Sequence, residues 1–429
     1  MAKIDYISFK QTEIGKIPQE WEVVRLDEVV DINQETIDPT KSFANKKFRY
    51  IDIDSVENGS GIIRGAKEIL GKNAPSRARR VIHYNDVIMS TVRPYLKAFT
   101  IVPKKFDNQI CSTGFAVLTC KGKVTPSYLL YTIFSKTIIE QCNRMMTGGQ
   151  YPALSSSQVE KLKLPLPPLP EQQKIAEVLS TSDEALHKVD DAIQRTERLK
   201  KGLMQELLTG KRRIKESKGQ RVIESKGYKE TEIGRIPKGW EVARLGDICD
   251  QRNEIIQPTR EGIVKFVGLE HIESGKTSIR SFSSDSNVKS SKFKFYKGDI
   301  LYGKLRPYLD KAVITDFEGI CSTDLLVLNP EKTKSFSGFL NYTLHYDRFV
   351  SHAKSTTSGT NHPRTSWKAI AKFKLPLPPL LEQQKIAEIL STVDKRLELL
   401  REKKERFERV KRGLMNDLLT GRKRVKVGA

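Results

Sequence analysis

"LPLPPLPEQQKIAEVLST" occupies Leu164 to Thr181, and "LPLPPLLEQQKIAEILST" occupies Leu375 to Thr392. The second copy starts 211 residues after the first (375 − 164), and only Pro170/Leu381 and Val178/Ile389 differ. Proline fixes φ and pushes its predecessor toward extended geometry, so "LPLPPLP" predicts a stiff, non-helical exit from the region before it. Glu171 and Glu382 then fall in the first turn of a helix, where the dipole favours negative charge. No proline interrupts Glu171 to Thr209 or Glu382 to Thr420. Gly210 and Gly421 are placed as C-terminal caps, each followed by a basic cluster suited to a helix end. At about 1.5 Å per residue, each helix would be roughly 60 Å long.

Apolar residues recur along both helices in steps of four and three. The first copy has Ile175, Leu179, Leu186, Val189, Ile193, Leu203 and Leu207. The second has Ile386, Leu390, Val393, Leu397, Leu400, Phe407, Leu414 and Leu418. Such a seam predicts a coiled coil between the two helices. The alternative, each helix lying on its own domain, leaves a rod of this length overhanging a domain of some 150 residues.

The duplication covers the rest of the chain. "TEIGKIPQEWEVVRL" (Thr12 to Leu26) returns as "TEIGRIPKGWEVARL" (Thr231 to Leu245), and "ICSTGFAVL" (Ile110 to Leu118) as "ICSTDLLVL" (Ile320 to Leu328). "YNDVIMSTVRPYL" (Tyr84 to Leu96) matches "YKGDILYGKLRPYL" (Tyr296 to Leu309) with one residue inserted, and "GLMQELLTGKRR" (Gly202 to Arg213) matches "GLMNDLLTGRKR" (Gly413 to Arg424). This period exceeds the roughly 20–50 residues of a solenoid unit. The halves are domain-sized, each ordered as globular region, proline run and long helix. "DVIMST" and "DILYG" read as strands, and so do the starts of "YIDIDSVENG" and "FVGLEHIESG". Helix is expected from Pro126 to Met145 and from Ser337 to His352. The segments are 1–163, 164–213, a linker over 214–230, 231–374 and 375–429. Antiparallel pairing of the helices gives pseudo-twofold symmetry, with the end near Arg424 returning to the segment before Thr12.

The 75 Lys and Arg outnumber 52 Asp and Glu, a net charge of +23. Such a surplus points to a polyanionic partner, most often nucleic acid, with a merely Lys-rich soluble protein as the alternative. No apolar stretch approaches the roughly 20 residues of a membrane span, and no signal-peptide core stands near the start. The five scattered cysteines, without a C-x-x-C pair, read as reduced cytosolic thiols. No "NPPY" or "DPPY" stretch and no Gly-rich cofactor loop is present. "ESGKTS" (Glu273 to Ser278) resembles a phosphate-binding loop, but Glu270 stands where that loop needs its first glycine. The repeated "ESK" tripeptides (Glu216 to Lys218, Glu224 to Lys226) carry no nuclease meaning alone.

The proline run, the "EQQKIA" helix and the "GLMQELLTG" end, duplicated behind two divergent domains, resemble the DNA specificity subunit of a type I restriction-modification system. The resemblance implies an α+β fold: two mixed α/β target recognition domains and two long helices in an antiparallel coiled coil. Each domain would read half of a bipartite double-stranded DNA site, and the helix pair would set the spacer. The implied partners are two methyltransferase subunits, which modify adenine at N6 with S-adenosylmethionine, and ATP-dependent restriction/translocase subunits. The chain itself would be cytoplasmic, without membrane partner, catalytic residue, metal or cofactor. The competing readings are a stand-alone DNA methyltransferase or nuclease, and a coiled-coil scaffold without DNA specificity.

Two stretches per half are candidates for DNA contact. In "RPYL", Arg93 and Arg306 suit phosphate, with Tyr95 and Tyr308 beside them and Lys304 just before the second copy. A structural turn with a satisfied arginine is the alternative. In "TGGQYPALSS" against "TSGTNHPRTSW", Gln150 aligns with Asn361, Tyr151 with His362 and Ala153 with Arg364. Side-chain amides suit adenine edges and arginine suits guanine, whereas a plain surface loop is the alternative. Lys46, Lys47, Arg49, Arg77, Arg79 and Arg80 are further phosphate candidates, with Lys289, Lys292 and Lys294 weaker ones in the second half.

Overall fold

The computed structural model describes residues 8–214 and 227–426. The chain divides into two compact units, one from Met1–Asp190 with Lys403–Ala429 and the other from Asp191–Glu402. Each unit therefore holds one globular region and part of each long helix. Residues 215–226 of the expected linker, including both "ESK" tripeptides, lie outside the described residues.

The first unit centres on an antiparallel sheet ordered Val30–Ile32, Phe115–Cys120, Val87–Ser90, Phe99–Ile101. Its middle strands are buried on both faces, so they read as continuous apolar runs rather than alternating ones. Val87, Met89, Ala116 and Leu118 join the core shared with the helices, while Ile88, Phe115 and Val117 face a second cluster. That cluster includes Ile51, Ile82 and Cys111 from a second sheet ordered Lys67–Leu70, Lys47–Ile51, Gln109–Ser112, Ala78–Ile82. The second unit repeats the plan. Its central sheet runs Cys249–Arg252, Leu325–Pro330, Ile300–Gly303, Ala312–Ile314, and Leu301, Val313, Leu325 and Val327 turn toward the second sheet.

Two expectations are corrected in detail. The helical stretch from Pro126 breaks into Pro126–Phe134 and Lys136–Met145, because Ser135 turns extended and caps the second helix with its side chain. Its counterpart likewise splits into Ser337–Leu344 and Asp347–Ser355. The proline run is a strand and a helix start, not only an exit. Lys163–Leu166 pairs antiparallel with Glu22–Arg25, and Lys374–Leu377 with Glu241–Arg244. The long helices span Leu169–Leu208 and Leu380–Leu419, so Leu169 and Pro170 are helical. Pro170 is tolerated in a first turn, where its missing N–H leaves no bond unmade.

The verbatim "EQQ" is the joint between helix and domain. Glu171 accepts from Trp21 Nε1 at 3.0 Å and pairs with Arg424, whose Nη2 lies 2.8 Å away. Glu382 accepts from Trp240 Nε1 at 2.9 Å and pairs with Arg213 at 2.7 Å. The next residue is a fully buried glutamine in both copies. Gln172 accepts from Thr125 N and donates to the carbonyls of Lys123 and Pro167. Gln383 accepts from Phe336 N and donates to those of Lys334 and Pro378. Each buried amide is satisfied on both ends, as a dry site requires. Gly210 and Gly421 end the helices at φ +71° and +68°, and a Cβ there would strike Pro237 or Pro18.

Within each unit the helices run antiparallel. In the first, Glu171 meets Arg424, Asp183 meets Lys411 and Asp190 meets Lys404. In the second, Glu197 meets Arg401, Lys200 meets Asp394 and Arg213 meets Glu382. Every residue of the expected seam is buried or half-buried, and Ile175, Leu179, Ile386 and Leu390 reach full burial. The apolar pattern missed Thr196, which is buried with its hydroxyl donating to the Ala192 carbonyl at 2.7 Å. Such back-bonding lets a polar residue enter a seam. No described helix is long and apolar enough to cross a membrane.

Candidate nucleic-acid interface

In each unit the structure joins the two candidate stretches into one surface. Arg93 and Arg306 both adopt the left-handed conformation, φ +48° and +49°. Each precedes a proline, where helical backbone angles are already disfavoured. Non-glycine residues held this way cost of order 1–3 kcal/mol and cluster at functional sites. The strain persists because the turn is tied to the loop. Arg93 N donates to Pro152 O at 2.9 Å, and Arg306 N donates to Pro363 O at 2.8 Å. Isolated bridges pair Val92 with Ala153 and Leu305 with Arg364. The loops turn at Gly148 and Gly359, φ +103° and +90°, where a side chain would be strained.

On this scaffold the exposed side chains differ. In the first unit, Arg93 Nη2 donates to Gln150 O at 2.9 Å and its guanidinium lies 4.8 Å from the Tyr151 ring centroid. Tyr151 is 69% exposed, with Gln150 and Tyr95 also at the surface. In the second, Tyr308, Asn361, His362 and Arg306 are exposed, and Lys304 is half-buried. Arg364 Nε donates to Asp324 at 3.2 Å. The aligned positions in the first unit are Ala153 and Gly114, so the ion pair replaces two small residues together. Gly114 admits nothing larger without displacement, since a Cβ would lie 2.8 Å from Ile53 Cδ1. Asp324 was missed in the sequence. Its signal was the one polar difference between "ICSTG" and "ICSTD".

The remaining cations sit elsewhere on the same domains. Lys46 and Arg77 are exposed, and Lys47 pairs with Glu68 at 2.9 Å. Arg49 donates to the Lys105 carbonyl and lies 5.7 Å from the Phe106 ring centroid. Arg79 pairs with Asp38 at 2.7 Å. Arg80 points inward: half-buried, it donates to Asn33 Oδ1 and to the Phe115 carbonyl, and desolvation lowers its pKa. Backbone bonds carry Arg77 toward the turn, through Thr113 N to Arg77 O and Thr91 N to Gly114 O. Lys289 is exposed, Lys292 donates to Ser290, and Lys294 pairs with Glu254 at 3.7 Å. Among the described residues, no group of three or more His, Cys, Asp or Glu is placed to hold a metal. Burial pushes the thiols of Cys111, Cys120, Cys142 and Cys321 up to about 12, so they stay protonated near neutrality. His187 is an exposed residue of the first long helix.

Comparison with known proteins gives the arrangement a family. The type I restriction modification DNA specificity domain matches twice, over residues 18–195 and 237–409. The MjaVIII specificity subunit of Methanocaldococcus jannaschii is 27% identical, covering 98% of this chain and 96% of that protein. The EcoDI specificity subunit of Escherichia coli is 24% identical over 87% of this chain and 81% of its own length. A chain from a structure of type I R-M complex assembly and conformational transition aligns with TM-score 0.56 and 26% identity, over 94% of this chain and 99% of its own. A type I restriction-modification S subunit from M. genitalium, 14% identical, shares the fold with TM-score 0.59 over 98% of both chains. With two matched copies spanning most of its length, the chain belongs to the type I restriction-modification DNA specificity family.

Proposed function

We propose that the two turn-and-loop surfaces are where this specificity subunit meets DNA, each reading one half of a bipartite site. The observation that carries this is the repeated left-handed arginine. An identical, strained support holds a loop whose exposed residues differ between halves, which suits one binding mode and two different targets. Arg93, Arg306, Tyr95 and Tyr308 position the phosphate backbone. Gln150 and Asn361 offer paired donor and acceptor to adenine edges, and Arg364, aimed by Asp324, suits guanine. Lys46, Lys47, Arg49 and Arg77 extend the electrostatic footprint. Arg80, bonded inward, supports the domain instead.

The chain supplies the address and not the chemistry. Methyl transfer belongs to two methyltransferase subunits carrying S-adenosylmethionine, and cleavage to ATP-dependent restriction subunits. The helix pair sets the spacing between half-sites. Two experiments test this. Pure chain incubated with labelled S-adenosylmethionine and DNA should transfer no methyl group, and transfer without partners would overturn the assignment. Deleting seven residues from both long helices should shorten the preferred spacer while both half-sites stay unchanged, measured by modification of a randomised DNA pool. Altered half-sites would refute the spacing role.

A further inference from the structure

A second feature of the first unit is independent of DNA reading. A cavity of about 300 Å³ lies where the last turns of the second long helix pack against the domain. Lys16, Lys97, Lys136 and Arg412 line it, and no carboxylate does. Its apolar walls include Phe134, Met415 and Leu419. Lys97 is half-buried, with Nζ donating to the Phe134 carbonyl at 3.0 Å, and desolvation followed by the charge of Lys411 lowers its pKa. Lys136 has a partner, Glu140 at 3.6 Å, on its own helix and outside the cavity lining. Among the described residues, Lys16 and Arg412 have no carboxylate partner. Like charges converging on a low-dielectric wall repel one another and concentrate anions.

The duplicated half shows that the scaffold does not require this. Where the first half has Lys97 in "RPYLK", the second has Asp310 in "RPYLD", and Lys136 is replaced by Asp347. Lys16 and Arg412 correspond to Arg235 and Lys201. Two of four cations thus become anions, and each has a partner within its own unit. Asp310 lies 2.7 Å from His345 Nδ1, and Asp347 lies 3.5 Å from Lys201.

We propose that the first-unit cavity binds a small organic phosphate, with the phosphate on the four cations and an apolar group against Phe134, Met415 and Leu419. Its volume stands at the low end of the roughly 300–1,000 Å³ of small-molecule sites, and a duplex backbone is too broad to enter it. The site is single per chain, because the second half carries aspartates in place of two lysines.

Phenyl phosphate is the probe. Calorimetric titration of the full chain should show saturable one-to-one binding, with inorganic phosphate and phenol each about tenfold or more weaker. Lys97→Asp with Lys136→Asp, which installs the second half's residues, should abolish binding. Should that variant fail to fold, Lys16→Gln with Arg412→Gln, both at exposed positions, should weaken it about tenfold. Unchanged affinity in a folded variant, equal binding of inorganic phosphate, or no saturable binding in the millimolar range would overturn the proposal. Displacement by duplex DNA would also overturn it and make these cations backbone contacts.

Discussion

The two halves of this molecule differ where they face outward and agree where they hold together. The Trp–Glu–Arg clamp, the buried glutamine and the capping glycine recur atom for atom in kind. Tyr131 donates to Asp183 and Tyr342 to Asp394, each at 2.8 Å, so even the side-chain braces to the long helices are duplicated. Divergence lies away from these joints: in the second sheets, of four strands in one unit and five in the other, in the middles of the long helices, in the loop beside the arginine turn, at the Gly114/Asp324 exchange and at the cavity lysines. A duplicated domain keeps its joints and changes its contacts. That comparison can be broken or sharpened experimentally.

The largest effect is expected at the clamp. Trp21→Ala and Trp240→Ala each remove a fully buried indole and should cost about 3–5 kcal/mol of their own unit. Urea unfolding should show similar losses, and a cost confined to one variant would break the equivalence. Glu171→Ala and Glu382→Ala come next. Each strands a buried indole N–H and an arginine, for about 1–3 kcal/mol in the same measurement. At the DNA surface, Gln150→Ala and Asn361→Ala should each relax one half-site only, by about 1–3 kcal/mol of base discrimination. Selection from a randomised pool checks this, and loss at both half-sites from one substitution would refute independent reading.

The smallest effect separates the halves by pH. His83 Nε2 donates to Glu35 Oε2 at 2.9 Å, and this hydrogen bond raises its pKa above the usual value. The stabilisation is therefore complete below about pH 6.5 and lost as pH rises through the raised value. The aligned residue of the second half is Phe295, which cannot titrate. His83→Gln should remove a pH dependence worth well under ~1 kcal/mol from the first unit, because the pair is largely exposed. Stability followed from pH 6 to 9 tests it.

Much of this was legible in one dimension because it repeats. The 211-residue offset located both helices, and the four-three spacing of residues such as Ile175, Leu179, Ile386 and Leu390 located the seam. Local pattern missed what depends on distant partners. Glu171 read as a dipole residue, yet its partners are Trp21 and Arg424, and Thr196 entered the seam through a bond to its own helix. "RPYL" and the glycine loop were each visible, but their union rests on long-range bonds such as those from Arg93 N to Pro152 O and from Leu154 N to Thr91 O. Arg80 shared a basic run with Arg77 and Arg79, and only the fold shows that it turns inward.

The clamp also orders events during synthesis. Glu382 finds Arg213 across 169 residues of sequence, whereas Glu171 waits for Arg424 across 253. The second unit is one uninterrupted segment, whereas the first is assembled from two segments far apart in the chain. The first is completed last, although its globular region emerges first. Truncation shortly before residue 424 would therefore damage the beginning of the protein more than its middle.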